Sequence, residues 1–239
     1  MRIEAYFTVG EVSPGGLTDA TVVVIDVLRS TTTILEALAN GARGIYPAVS
    51  TEEAVKLAQS LGREDTLLCG ERKGQKVEGF DLGNSPGEFT RGAVEGKRLV
   101  MSSTNGTRAF GLGHESARVL ACAFTNISAV AREVGGVEDL VVLCAGLEGR
   151  FSMADALCAG HLISRVLADS EREDTINDAG LAARALAGKK PTERLLAGTV
   201  GGKMLIEMGL QADLAICADV DRHDLVAEMR DQAITLVGG

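Results

Sequence analysis

The sequence predicts an α/β protein with three layers, α/β/α, around a largely parallel sheet, either as one body or as two lobes around one crevice. Short runs rich in Val, Ile and Thr alternate with amphipathic stretches of helical spacing. Several runs, such as residues 21–25, are apolar along their whole length, which is typical of strands covered on both faces. Polar residues cluster directly after three of these runs. Alternating strands and helices favour a parallel sheet with helices on both sides.

The stretch 21–41 shows this pattern most clearly. A β-branched run opens it, and Asp26 stands at the predicted carboxyl end of that strand. A helix is predicted from Ser30, which can cap it, to a stop at Asn40-Gly41. A carboxylate, an arginine and four hydroxyls therefore lie between a strand end and a helix N-terminus. Ligands bind at this edge of open α/β sheets, and free N–H groups attract anions there.

The remaining elements continue the alternation. Further strands are predicted at residues 2–9, 44–49, 66–69, 98–101, 117–123, 140–144, 214–217 and 233–237. Further helices are predicted at residues 50–62, 125–134, 152–167, 175–186, 191–196 and 199–208. Because no proline- or serine-rich linker interrupts the chain, we predict a single domain over residues 1–239. Its motifs lie in 1–168, and a helical part, 169–239, completes the fold.

Residues 70–88 are predicted to form a long loop. The segment has little periodicity and contains five glycines and one proline. Loops of this length in compact domains are usually functional or disordered. Its charged and amide side chains favour a functional loop, with a solvated flap as the alternative.

Composition excludes several classes of function. The formal net charge is −9 and aromatic residues make up only 3% of the chain, so nucleic-acid binding is not expected. Five dispersed cysteines without a CxxC pair suit reduced thiols in the cytoplasm. The N-terminus carries Glu4 and Glu11 and lacks a long apolar region, so no signal peptide is predicted. The sequence also lacks the run of about 18 apolar residues that a membrane span requires.

Three predicted strand ends carry polar groups. The groups are Asp26 and Arg29 at the first end, Ser102, Ser103, Thr104, Asn105 and Thr107 at the second, and Glu148, Arg150, Ser152 and Asp155 at the third. If the strands are parallel, all three ends lie on the same edge of the sheet. Arginines can bind tetrahedral oxyanions with two hydrogen bonds, and carboxylates supply the oxygen ligands that Mg²⁺ prefers. Structural alternatives remain: Asp26 could cap the helix, Arg29 could pair with Glu36, and the hydroxyl runs could be caps.

Two phosphatase signatures can be tested on the sequence. The aspartyl-nucleophile type requires a second aspartate two residues after the first, and Leu28 occupies that position. Cys144 to Arg150 satisfies C-x5-R, the spacing of phosphatases that use a cysteine thiolate. Glu148 would place a negative charge inside that anion-binding loop, and Cys144 ends an apolar strand. A buried structural thiol is therefore favoured over a nucleophile, and the cysteine mechanism is kept as an alternative.

Four motifs together resemble a known family. IDVLRSTTTILEALANGA, GERKGQKVEGFDLGNSP, SSTNGT and CAGLEGRFSMADALCAG occur in this order and are similar to motifs of the 2-phosphosulfolactate phosphatases. These are magnesium-dependent phosphatases of coenzyme M biosynthesis. The resemblance covers most of residues 1–165. It implies a single three-layer α/β phosphatase domain that hydrolyses 2-phospho-3-sulfolactate to 3-sulfolactate and phosphate with Mg²⁺.

The motifs and strand ends together assign candidate roles. Catalytic roles are expected for Asp26, Arg29 and Asp155. Substrate binding is expected for Ser30, Thr31, Arg72, Asn84, Ser85, Ser103, Thr104, Asn105, Gly106 and Arg150. Of these, Arg72 and Arg150 are candidates for binding the carboxylate and the sulfonate of the substrate. Metal binding is expected for Asp26, Glu71, Asp81, Glu148 and Asp155. One position departs from the expected pattern, because Ala154 stands beside Asp155 where an acidic residue is expected.

The expected partner is a small anionic phosphorylated substrate, with no nucleic acid and no membrane, and the chain could form a homodimer. Water could attack the phosphoryl group directly, or a carboxylate could form a phospho-enzyme. A different class of function also remains open, in which the same anion crevice binds small sulfonates or phosphorylated acids without turnover.

Overall fold

The computed structural model describes residues 1–168 and 174–238, except for the side chain of His114. The start of the predicted C-terminal part, residues 169–173, and Gly239 lie outside the described residues. The strands are β1 (Arg2–Tyr6), β2 (Thr21–Ile25), β3 (Gly44–Pro47), β4 (Thr66–Arg72), β5 (Gln75–Lys76), β6 (Arg98–Ser102), β7 (Arg118–Cys122), β8 (Asp139–Cys144), β9 (Thr175–Ile176), β10 (Ala227–Arg230) and β11 (Ala233–Leu236). The helices are α1 (Ser30–Ala39), α2 (Thr51–Leu61), α3 (Arg91–Val94), α4 (Gly106–Leu112), α5 (Ile127–Val134), α6 (Met153–Ala168), α7 (Asp178–Leu186), α8 (Glu193–Ala197), α9 (Val200–Glu207) and α10 (Asp213–Cys217).

The described strands form one sheet in the order β5-β4-β6-β3-β11-β10-β7-β2-β8-β1-β9. One parallel group contains β4, β6 and β3, and a second contains β7, β2, β8, β1 and β9. The antiparallel hairpin β10–β11 joins the two groups by pairing with β7 and β3. These three successive antiparallel pairings reverse the strand direction between the groups. The prediction of a largely parallel sheet is confirmed, with a hairpin inserted in it.

The two faces of β2 show why helices cover both sides of the sheet. Val23 and Ile25 face one core cluster, which contains residues of α5 and α6. Val22 and Val24 face another cluster, which contains residues of α1 and α4. Successive side chains of a strand point to opposite faces, so a strand that is apolar throughout must be covered twice. The predicted three-layer α/β/α architecture is confirmed.

Register brings the carboxyl ends of β2 and β8 side by side. Ile25 pairs with Cys144 of β8 and with Cys122 of β7. The N–H of Ala145 donates to the carbonyl of Ile25 at 2.8 Å. Parallel strands in register end at one edge of the sheet, so the residues that follow β2 and β8 are neighbours there.

Three sequence predictions need correction. Residues 214–217 were expected to form a strand, but they belong to helix α10; a short apolar run fits either structure, and its length does not decide between them. The loop 70–88 begins with the end of β4 and the hairpin β4–β5. The helix expected at 175–186 starts at Asp178, after the short strand β9. Within the described residues, no helix is both long and apolar enough to cross a membrane.

Strand β10 was missed because its sequence, AEMR, is half charged. Glu228 is nonetheless buried, and its carboxylate accepts hydrogen bonds from Arg118 at 2.9 Å and Arg230 at 2.9 Å. Burial alone would raise the pKa of Glu228, but the two arginines outweigh it and hold the pKa below its ordinary value. Arg118 belongs to β7, so this ion pair fastens the inserted hairpin to the second parallel group.

Replacement of Glu228 by glutamine tests the contribution of these ion pairs through the pH dependence of the free energy of unfolding. A carboxylate whose folded pKa is lowered stabilises the fold above its unfolded pKa, and this stabilisation is lost as the pH falls through the folded pKa. We expect Glu228→Gln to lower the free energy of unfolding by about 1–3 kcal/mol at pH 7. In urea unfolding at a series of pH values, the difference from the unmodified protein shrinks below about pH 4.5. Glu78→Gln, at an exposed position, is the control; an equal effect in both variants contradicts the interpretation.

Candidate active site

Asp26 lies at the centre of the candidate site. It follows β2, and its buried carboxylate accepts hydrogen bonds from the N–H and the hydroxyl of Ser30 at the start of α1. Burial raises the pKa of Asp26 to about 6, the bonds from Ser30 oppose this shift, and the nearby charge of Glu71 adds to it. Thr31 donates to the backbone carbonyl of Asp26 through its N–H at 3.0 Å and its hydroxyl at 2.8 Å. The start of α1 therefore holds Asp26 in place.

A second buried carboxylate, Asp155, joins the ends of β2 and β8. It lies near the start of α6, and its two oxygens accept from the N–H of Val27 at 2.9 Å and of Gly146 at 3.2 Å. Burial raises the pKa of Asp155 well above its ordinary value, and the charge of Asp26 raises it further. Two buried carboxylates that each disfavour ionisation of the other require a proton or a cation nearby.

Glu71 connects the loops that follow β4 and β6. Its carboxylate accepts from the N–H of Gly74 at 2.6 Å and from the N–H of Thr104 at 2.7 Å. The hydroxyl oxygens of Ser30 and Ser103 lie 3.2 Å apart, within hydrogen-bond distance. The end of β6 thus meets the end of β2, although the two strands belong to parallel groups of opposite direction. The sequence argument that all ends share one edge holds for β2 and β8; β6 reaches the site from the other group.

Gly106 allows the close approach of β6 and β2. A Cβ atom at this position would lie 2.6 Å from Cβ of Ser30 and 2.9 Å from a carboxylate oxygen of Asp26. Neither neighbour is the end of a long side chain that could move aside. At Gly106, which was predicted from the SSTNGT motif, any larger residue would therefore clash with Ser30 and Asp26.

Arg29 forms a buried ion pair that the sequence did not predict. One guanidinium nitrogen lies 2.8 Å from a carboxylate oxygen of Asp213, and the side chains are 3% and 5% exposed. Another nitrogen donates to the carbonyl of Gly74 at 2.8 Å, and Ser85 donates to the second oxygen of Asp213. Glu36, the partner considered from the sequence, instead binds Arg222 and His223. Asp213 was missed because it lies in the helical C-terminal part, outside every motif.

One cavity is lined by eight of the sixteen predicted site residues. The predicted residues that line it are Asp26, Arg29, Ser30, Glu71, Asn84, Thr104, Asn105 and Glu148. Its apolar wall is formed by Leu28, Leu147, Met204, Leu205 and Met208. A second cavity adjoins it at Asp26 and Leu28 and reaches Asp155. The residues of α9 in the apolar wall were not predicted, since their spacing is that of an ordinary amphipathic helix.

Three predicted side chains support the cavity wall without lining it. Thr31 and Ser103 form the hydrogen bonds given above, and both are buried. Ser85 is bound to Asp213. The polar groups of these three residues are already paired within the protein. Their positions therefore do not support direct contact with the substrate.

Three further predicted residues are not brought to the cavity. Asp81 accepts from Arg63 at 2.7 Å and from the N–H of Leu68 at 2.7 Å. Arg72 donates to the hydroxyl of Ser102 at 2.9 Å; neighbouring residues of a strand point to opposite faces, so Arg72 turns away where Glu71 turns in. Arg150 is exposed and does not line either cavity. Their positions do not support the metal role expected for Asp81 or the anion-binding roles expected for the arginines.

Two atoms of the cavity lining lack partners. Among the described residues, Oδ1 of Asn84 and Oγ1 of Thr104 are buried without a hydrogen bond. A buried polar atom without a partner costs free energy, so such atoms are uncommon in folded proteins. Both residues line the same cavity, where a bound ligand would supply polar partners.

The carboxylates fit Mg²⁺ in one particular way. No group of three or more potential ligand side chains is found within the described part of the chain, so an enclosed all-protein metal site does not fit. Mg²⁺ usually takes one or two carboxylates and completes its shell with water and substrate phosphate. Asp26, which lines both cavities and lies near two other carboxylates, fits that type of site.

The cysteine alternative is not supported by the structure. Cys144 is fully buried, and burial raises the pKa of its thiol well above the ordinary value. The nucleophile of such phosphatases is a thiolate of lowered pKa in contact with the anion site. Cys144 lines neither cavity, and the side chain of Arg150 is exposed.

The buried pair Arg29–Asp213 should contribute strongly to stability. Asp213→Ala leaves Arg29 buried without its counter-charge, and we expect the free energy of unfolding to fall by about 3–5 kcal/mol. Glu95→Ala breaks the exposed pair Arg91–Glu95 and should leave the free energy of unfolding nearly unchanged. Urea unfolding of both variants checks this, and similar losses in both variants contradict it.

Comparison with known proteins agrees with the resemblance of the motifs. Residues 6–232 match the family model of 2-phosphosulpholactate phosphatase. A relative from Caldanaerobacter subterraneus subsp. tengcongensis is 37% identical over 97% of this chain and 96% of its own length. A relative from Clostridium perfringens is 37% identical over 99% of this chain and 97% of its own length. A relative from Symbiobacterium thermophilum is 40% identical over 90% of this chain and 93% of its own length. All three are named probable 2-phosphosulfolactate phosphatase. The chain therefore belongs to the 2-phosphosulfolactate phosphatase family, a family of phosphoric monoester hydrolases.

Proposed function

We propose that this protein hydrolyses the phosphate ester of 2-phospho-3-sulfolactate with Mg²⁺, giving 3-sulfolactate and phosphate, the reaction type of coenzyme M biosynthesis. The family and its named relatives support the reaction and the substrate. The observation that carries the proposal is one cavity lined by the buried Asp26 and by Asn84 and Thr104, each of which has a buried polar atom without a partner. Membership in a family of enzymes favours turnover over the alternative of binding alone.

The charges around Asp26 support the proposed role of Mg²⁺. Asp26, Asp155 and Glu71 place negative charge where a phosphate ester would bind, and the first two disfavour each other's ionised form. A dianionic ester does not enter such a site unless a cation compensates the carboxylates. Asp26 would hold the ion, with Asp155 or Glu71 as the neighbouring carboxylate. When bound, the ion supplies Lewis-acid polarisation of a phosphoryl oxygen.

The chain's own residues orient the ester and exclude water. Ser30 fixes the carboxylate of Asp26 by two hydrogen bonds, so its direction is set before substrate arrives. Arg29, held by Asp213 and by the carbonyl of Gly74, presents a fixed positive charge to the cavity and can stabilise charge on phosphoryl oxygens. The apolar side chains of Leu28 and Met204 in the cavity lining lower the local dielectric constant, which strengthens these electrostatic interactions.

We also propose a cytoplasmic location. All five cysteines are free and buried, which suits a reducing compartment. A homodimer stays a prediction of the sequence.

Removal of the metal and replacement of Asp26 test the metal role. We expect EDTA to abolish phosphate release from 2-phospho-3-sulfolactate and Mg²⁺ to restore it. Asp26→Asn should lower kcat by about 10³-fold or more, because several kcal/mol of stabilisation depend on the ion. Without metal, Asp26→Asn should be at least as stable as the unmodified protein, since a buried like charge is removed.

A readout independent of activity accompanies this test. Mg²⁺ should raise the melting temperature of the unmodified protein by mass action and leave that of Asp26→Asn unchanged. Glu78→Gln, outside the cavity, should respond to Mg²⁺ as the unmodified protein does. Full activity in Asp26→Asn, or an equal Mg²⁺ shift in both proteins, contradicts the metal role.

Substitution at Gly106 tests the close approach of the two strand ends. Gly106→Ala forces Ser30 and the carboxylate of Asp26 to move, and we expect kcat/KM to fall by about 10²-fold with the fold retained. Gly111→Ala lies in the same helix, where an added Cβ meets no atom within 4 Å, and should leave kcat/KM unchanged. Steady-state kinetics with circular dichroism checks this pair; unchanged activity in Gly106→Ala is the contrary outcome.

A further inference from the structure

Lys73 occupies the tip of a hairpin that lines the cavity. Arg72 of β4 pairs with Gln75 of β5, so Lys73 and Gly74 form a two-residue turn between them. Their φ angles are 52° and 81°, both in the left-handed region that such tight hairpin turns require. Both residues line the cavity, and Lys73 is exposed to solvent.

The backbone that carries Lys73 is fixed by the site itself. The N–H of Gly74 donates to Glu71 at 2.6 Å, and its carbonyl accepts from Arg29 at 2.8 Å. Gly74 also packs against Met208, since an added Cβ would lie 2.4 Å from the terminal methyl of that side chain. The tip of the hairpin is therefore anchored to both the polar and the apolar wall of the cavity. An exposed lysine is usually only solvated, but this one is placed by a rigid turn.

Besides Arg29, which is proposed to stabilise the phosphoryl oxygens, the cavity lining has one further cation among the described residues. Among the described residues that line it, Arg29 and Lys73 are the cations. Arg29 is committed to Asp213 and to a carbonyl, whereas Lys73 forms no hydrogen bond or ion pair with any described residue. Arg72 and Arg150, the arginines expected to bind the carboxylate and sulfonate, are turned away or exposed. The anionic groups of the substrate other than phosphate thus have Lys73 as their available partner.

We propose that Lys73 binds the anion of the substrate that is not transferred, its carboxylate or its sulfonate, and so makes the enzyme selective for phosphorylated acids over simple phosphate esters. This inference rests on the proposed function. A lysine ammonium is a compact charge on a flexible stem, so it can follow either group without a fixed two-bond geometry. Because Lys73 lines the cavity and is also exposed, it suits a substrate group that extends from the phosphate toward solvent.

Calorimetric binding and kinetics of Lys73→Met test the proposal, with Lys76→Met as the control on the same hairpin. Lys76 carries the same charge but donates to the carbonyl of Asp81 and does not line the cavity. We expect Lys73→Met to weaken 3-sulfolactate binding by roughly 10–100-fold, the loss of one charge-assisted hydrogen bond. Inorganic phosphate should bind as before, and Lys76→Met should leave both affinities unchanged. The KM for 2-phospho-3-sulfolactate should rise by a similar factor while kcat changes little.

A comparison with 2-phospholactate, which has the carboxylate but no sulfonate, identifies the group. A KM for 2-phospholactate that Lys73→Met leaves unchanged assigns the sulfonate, and an equal rise assigns the carboxylate. The proposal is overturned if Lys73→Met binds 3-sulfolactate as tightly as the unmodified protein, if phosphate binding weakens equally, or if the unmodified protein does not bind 3-sulfolactate. Failure of the proposed function differs from these outcomes, because the unmodified protein would then release no phosphate from 2-phospho-3-sulfolactate with Mg²⁺.

Discussion

The binding of backbone N–H groups by buried carboxylates is the interaction on which the site depends. Asp155 accepts from the residues that follow β2 and β8, and Glu71 accepts from the β4–β5 turn and from the residue that follows Ser103. Asp26 accepts from the start of α1. Asp155 and Glu71 thus join segments that are distant in sequence, whereas the contact of Asp26 is local. The carboxylates that hold the loops are thus the same groups for which we propose Mg²⁺ binding.

The C-terminal part of the chain completes both the sheet and the site. The hairpin β10–β11 fills the gap between two parallel groups, and α9 and α10 supply the apolar wall and the partner of Arg29. Because Asp213 lies where Arg29 and Ser85 meet, the position of the guanidinium depends on a helix that contains none of the recognisable motifs. The candidate site is therefore built from both the motif-bearing part and the C-terminal part of the chain.

Local patterns allowed the prediction of β2, α1 and the position of Asp26 at the sheet edge, because the evidence for each lies within a few adjacent residues. The catalytic and metal-binding roles of Asp26 stay predictions. Asp213 and Lys73 could not be predicted in the same way, since their significance arises from contacts between distant segments. The orientation of Arg72 was predictable in principle: on a strand, Glu71 and Arg72 cannot both face one cavity. Strand β10 was missed since the charge of Glu228 is compensated by Arg118, which precedes it by more than a hundred residues.

The place of the last hairpin also shapes how the chain must fold. Strands β3 and β7 are made early in synthesis, but the strands that lie between them are at the C-terminus. Until β10 and β11 leave the ribosome, β3 and β7 each present an unpaired edge, which is a template for association with other chains. Pairing of β11 with β3 closes a loop that spans most of the sequence, so the final step is slow by the usual relation between contact order and rate. Two sheet edges in the middle of the final sheet thus stay open to such association until β10 and β11 have been made.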